Sequence, residues 1–193
     1  MKHIRYLLTL VLALGSLSVA NAQAPLSSSA ASTVYMKLQA QKQGVIKGEV
    51  IKKGLEQFHS ILAYSHEIVS PRDPASGLPT GRRQHQPFRV VKLLNSGSPQ
   101  LLTAMANNEN FPTITIDVWA PNPTGAGAES KIMTYTLINA SLVSLRPWMP
   151  NQSDTAAASY PPAEELSFNY ESIKVTWING GIEGQDTWNT LVR

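Results

Sequence analysis

The feature that most restricts this fold is an apolar period of two that returns along the chain. Val34, Met36 and Leu38 alternate with Tyr35, Lys37 and Gln39, and Ile114, Ile116 and Val118 with Thr115 and Asp117. Leu166, Phe168 and Tyr170 alternate with Ser167 and Asn169, and Ile173, Val175 and Trp177 with Lys174 and Thr176. Successive side chains of a strand point to opposite faces, so each stretch reads as a strand with one buried face. A helix would space its apolar residues three or four apart. The chain is therefore mainly β.

The run from Phe58 to Val69 is long for a strand and apolar on both faces. Phe58, Leu62, Tyr64 and Ile68 lie on one face, Ile61, Ala63 and Val69 on the other. Such a strand fits a barrel or sandwich wall that also meets a neighbour. Between Ile132 and Leu145 the apolar residues change phase, which predicts a bulge near Asn139. One segment carries helix grammar, at about residues 98–107. It has Ser98 as N-cap, Pro99 in the first turn, Leu101, Leu102 and Met105 on one stripe, and a stop at Asn107-Asn108. Loops are expected at Ser70–Gly81, Pro121–Glu129 and Arg146–Ala163, all rich in Pro, Gly, Ala or Ser.

Residues 1–22 have a basic start, an apolar run from Tyr6 to Leu14 and a polar end at Ala20-Asn21-Ala22. This is the layout of a cleavable signal peptide, with the cut after Ala22. The apolar run reaches only half of the roughly 20 residues that a membrane span needs, so no stable membrane insertion is expected after cleavage. Residues 23–33 read as a flexible leader, and residues 34–193 as one domain large enough for a real core. The formal charge of +3 includes Lys2 and Arg5; without them 14 basic residues face 13 acidic ones. A chain so balanced gives no sign of nucleic-acid binding. There is no cysteine, which excludes disulfides, thiolate catalysis and cysteine metal sites.

Little else carries chemistry. His59 and His66 are seven residues apart, so on one regular strand they face opposite sides and share no metal. With His85 they are the only histidines after the leader, and no metal-ligand or nucleophile motif accompanies them. Gly180-Gly181 and Gly184 read as a turn. Glu164 and Glu165 point apart on a strand and are expected to be solvated at a loop edge. Trp148 is the one tryptophan expected in a loop. It supports an alternative reading as an exported β-sandwich that binds a glycan or another envelope ligand. No catalytic residue, cofactor site or metal site is predicted, and the chain is expected not to be an enzyme.

Several segments, in order, resemble the haemolysin-coregulated protein family, the tube-forming component of type VI secretion systems. They are Val34–Leu38 with Ile46–Val50, His66, Gly81–Phe88 through Lys92, Ser98–Leu102, Glu165–Trp177 and Asp186–Asn189. The resemblance implies a small β-barrel of two packed antiparallel sheets with one short helix, assembled as a hexameric ring. Rings of that family stack into a hollow tube, propelled inside a contractile sheath, with effector cargo in the lumen and a spike at the tip. The implied partners are thus further copies of the chain, spike, sheath and effector. The core domain is implied to be non-enzymatic. The loop Ser70–Gly81 is then expected between stacked rings, with Arg83, His85, Pro87 and Phe88 at its base and Trp188 as a further interface residue. The leader predicts a periplasmic or extracellular protein; the resemblance implies assembly in the cytoplasm followed by type VI export.

Overall fold

The structure is a computed structural model that describes residues 32–121, 129–153 and 160–188. The predicted signal peptide, nearly all of the leader and most of the loop after Pro121 lie outside the described residues. In chain order the elements are β1 (Thr33–Ala40), β2 (Gly44–Ile46), β3 (His59–Ser65), β4 (Ile68–Val69), β5 (Gln84–His85) and β6 (Phe88–Leu93). They continue with α1 (Ser98–Ala106), β7 (Asn110–Pro121), β8 (Glu129–Trp148), β9 (Ala163–Asn169), β10 (Ser172–Trp177) and β11 (Ile182–Thr187).

The alternating segments form strands because alternation lets each present one apolar face to a common interior. Strands β8, β7, β1, β3, β6 and β9 hydrogen-bond in that order, and β9 returns to β8, so the sheet closes into an antiparallel barrel. The two packed layers expected from the family are opposite walls of this one sheet. Three register shifts bend it: between Ile61 and Ala63 in β3, Val118 and Trp119 in β7, and Leu142 and Ser144 in β8. Each adds local twist where a flat sheet could not close. The interior is filled by fully buried Met36, Leu38, Phe88, Ile114, Ile116 and Leu166, with Leu101 of the helix among them.

The 20-residue strand β8 has two partners. Its C-terminal half closes the barrel against β9, and its N-terminal half carries β10 and β11 outward as a hairpin. Burial falls along β10 from Ile173 to the exposed Trp177, which is how a strand leaving a core should look.

Several sequence-based expectations need correction. The run from Phe58 to Val69 is two strands, because β3 ends at Ser65 and β4 pairs with β5 in a separate two-stranded sheet. Leu62 and Tyr64 are exposed in the single chain. No register shift with β7 occurs at Asn139. Phe111 pairs with Ala140 and Thr113 with Ile138, while the buried residues jump from Ile114 to Phe111 and from Leu137 to Ala140. Both strands turn over together there, helped by the left-handed backbone of Asn139 (φ 49°). The helix is capped by Gly97 and not by Ser98, and its buried stripe is Leu101 and Ala104, leaving Leu102 exposed. The loop predicted at 146–163 is shorter, since Trp148 ends a strand and pairs with Ala163.

Candidate assembly site at the base of the projecting loop

The exposed segment from Ser70 to Gly81 projects between β4 and β5. It folds on itself through an Arg72–Pro79 bridge, with Thr80 N–H donating to Pro71 O (3.0 Å). Asp73 caps its turn by accepting from the Ser76 backbone N–H and hydroxyl, both at 2.7 Å. Those bonds hold the Asp73 carboxyl below the usual carboxylate range.

Beneath the loop the structure gathers residues from four places. His66 follows β3, Arg83 and His85 come with β5, Tyr170 lies in the β9–β10 turn, and Asp186 is on β11. Arg83 grips Asp186 through two nitrogens, and His85 Nε2 meets the same carboxylate at 2.9 Å. The Arg83 hydrogen bonds are the main reason the Asp186 carboxyl sits below its usual range, with His85 assisting. An ionised Asp186 accepts only, so His85 Nε2 carries a proton, and in the neutral ring Nδ1 is the acceptor. Nδ1 lies 2.8 Å from Tyr170 Oη and receives its hydrogen. The phenol oxygen in turn accepts from His66 Nε2 at 2.5 Å. Burial pushes the Tyr170 hydroxyl up, with the Asp186 charge adding to it, so it stays protonated. Burial, then the neighbouring His85, pushes His66 down.

The five residues expected at the interface thus separate. Arg83 is partly buried and ion-paired, His85 is buried, and Pro87 is half-buried. Phe88 is fully buried, stacked against the rings of Tyr64 and His66 at 5.8 and 5.2 Å between centroids. Trp188 is 49% exposed, its ring 5.6 Å from His85 and its backbone N–H donating to Glu171 O. His85, Tyr170 and Trp188 line a cavity of about 220 Å³. Arg82, Arg83 and Trp188 line another of about 370 Å³ that runs under the loop. Arg83, His85 and Trp188 therefore belong to one site, whereas Phe88 is its floor.

His59 belongs elsewhere. It is fully buried, its Nε2 bonded to Ile46 O at 3.0 Å and its Nδ1 accepting from Asn95 at 3.1 Å. Glu164 also corrects expectation: it is buried, 2.7 Å from the fully buried Lys92, and bonded by the Ser98 hydroxyl. Only Glu165 faces outward, paired with Arg146. Trp148 is 38% exposed at the end of β8 and shares neither cluster. Among the described residues no group of three or more His, Cys, Asp or Glu side chains is arranged to hold a metal. Tyr170 and Asp186 were not recognisable as site residues, because they meet His85 from 85 and 101 positions away.

A closed six-stranded barrel with a plugging helix, a two-stranded side hairpin and a projecting loop defines a compact β-barrel module. The family model described as "Type VI secretion system effector, Hcp" matches residues 35–177, and the chain belongs to this family. The "Major exported protein" of Pseudomonas aeruginosa is 31% identical over 173 residues, covering 84% of this chain and 98% of that protein. Among solved structures, Hcp1 of the E. coli EAEC 042 pathovar is similar at a TM-score of 0.71 and 27% identity, covering 82% of this chain and 99% of that one. A crystal structure of an Hcp protein shares the fold at a TM-score of 0.75 and 24% identity, covering 83% and 99%.

Proposed function

We propose that this chain is a non-enzymatic ring subunit: six copies close head to tail, and rings stack into a hollow tube that carries effectors. The observation that carries this reading is the β10–β11 hairpin, which leaves the closed barrel with an outer edge that is free among the described residues and with exposed Trp177, Ile178 and Ile182 near its tip. A sheet edge with unpaired backbone groups and adjacent apolar side chains is a liability in a lone subunit. A neighbouring copy removes it, and a heterologous contact of this kind closes into a ring when the rotation allows. Membership of the Hcp family supports the same assembly, with spike, sheath and effector as its partners.

In this reading the Ser70–Gly81 loop meets the next ring, with Arg83 and Trp188 beside the contact, while His85, Pro87 and Phe88 hold the loop's base. Residues 1–22 act as an export leader, 23–33 as a tether and 34–193 as the assembling domain. N-terminal sequencing of the fractionated protein should find Gln23 outside the inner membrane; an intact Met1 in the cytoplasm would overturn the export reading. Native mass spectrometry should give particles of six chains. Single chains alone, even in concentrated solution, would overturn the ring.

A further inference from the structure

Tyr170 has one proton to donate and a single oxygen to accept with, and two imidazoles draw on both. In the neutral arrangement His66 donates to Tyr170, Tyr170 donates to His85, and His85 donates to Asp186. One added proton is tolerated. If it goes to His85, Nδ1 becomes a donor, the phenol reverses, and its hydrogen passes to His66 Nε2 in the other tautomer. Asp186 then lies against the imidazolium at 2.9 Å. A second proton leaves both imidazoles as donors to one oxygen, with the phenol hydrogen left without an acceptor between them. It also places two cations with ring centroids 6.5 Å apart. We propose that this cluster is a pH-operated latch on the projecting loop, closed while His66 and His85 together hold no more than one proton and open at acid pH when each holds one.

The surrounding charges favour opening at the second proton. From β11, Asp186 faces His85 but is already matched by Arg83. Around His66, Glu67 on its own segment and Arg89 on β6 share a cavity of about 160 Å³, so the local acid is balanced by a base. Glu171, in the β9–β10 turn, lines the same cavity of about 220 Å³ as His85, but its carboxylate is bonded to Asn139. Among the described residues Asp186, which also lines a cavity with His66, is the only carboxylate within 4.0 Å of either imidazole, and Arg83 already pairs with it. Burial and His85 already push His66 down, in keeping with resistance to that proton. The loop has few other anchors. Strands β4 and β5 pair over two residues each, through Ile68–His85 and Val69–Gln84, and both Ile68 and Val69 are exposed. Histidine clusters that must discharge to stay bonded are suited to this kind of switching.

The latch lies within one subunit and does not depend on the ring. Amide hydrogen exchange across 70–81, corrected for intrinsic exchange, should lose about tenfold protection or more between about pH 7.5 and about pH 5. In His66→Gln, which donates to Tyr170 but does not titrate, the loss should largely vanish. In Tyr170→Phe protection should be low at every pH. Imidazole ¹⁵N shifts of the unaltered protein should show His66 and His85 titrating in two coupled steps. Flat protection in the unaltered protein, a full pH dependence in a folded His66→Gln, or two independent ordinary titrations would each overturn the latch. Light scattering at each pH separates it from assembly: the loss is expected whether particles hold one chain or six, and a loss seen only on dissociation would also overturn it.

Discussion

Two polar clusters, one inside the barrel wall and one where the side elements meet it, both contain histidine and behave oppositely. At the helix end, His59, Lys92 and Glu164 are all buried, and the members satisfy one another. Lys92 Nζ donates to Glu164, Leu93 O and Asn95, while Ser98 completes Glu164. At the loop base, Arg83 and Asp186 remain partly open to solvent, and one phenol serves two imidazoles. A sealed network has one proton arrangement and fixes β6, β9 and the helix relative to one another. A network that reaches solvent has several, and so can respond to its surroundings. The first is architecture and the second is adjustable.

The comparison breaks most visibly if the sealed pair proves dispensable. Lys92→Met leaves Glu164 buried without its partner, and we expect a loss of about 3–5 kcal/mol in urea unfolding. Lys92→Met combined with Glu164→Leu should recover most of that loss, because an apolar pair needs no partner charges. A single replacement costing under about 1 kcal/mol would mean that water reaches the site.

The same cluster should set the acid limit of the fold. Burial, and next the Lys92 charge, push His59 down to about 4. A histidine depressed in the folded state binds protons first in the unfolded chain, whose value is about 6.5. Its contribution to stability is therefore whole above about pH 6.5, falls as pH drops from there, and is spent near pH 4, a change of about 3 kcal/mol. Unfolding free energies measured across this window, with His59→Gln as the non-titrating reference, should show that slope. An unchanged slope in His59→Gln would assign it to the loop-base histidines instead.

What the sequence disclosed follows the same division. Strands β1, β7, β9 and β10 were legible because each buries one face, and alternation records that directly. The break after Ser65 was not, since the apolar run continues through it while hydrogen bonding passes to another sheet. Adjacency placed Glu164 and Glu165 on opposite faces correctly. Only the register could put Glu164 inward opposite Lys92, and register is a property of paired strands. The segment from Gly81 to Phe88 was recognisable as a motif. Its partners Tyr170 and Asp186 were not, because nothing local marks a side chain that is bonded across the barrel.

The smallest expected effects sharpen the contrast, using one added methyl group at two glycines. A Cβ at Gly97 would meet His59 Cε1 at 2.8 Å and Lys47 O at 3.0 Å, inside the sealed cluster. Gly97→Ala should therefore cost about 1–3 kcal/mol by overpacking. A Cβ at Gly81, at the end of the projecting loop, meets nothing within 4 Å. Gly81→Ala should stay within about 0.5 kcal/mol of the parent in the same urea titration. Equal costs at the two positions would mean that the loop is packed as tightly as the core. A latch at its base would then have no freedom to release.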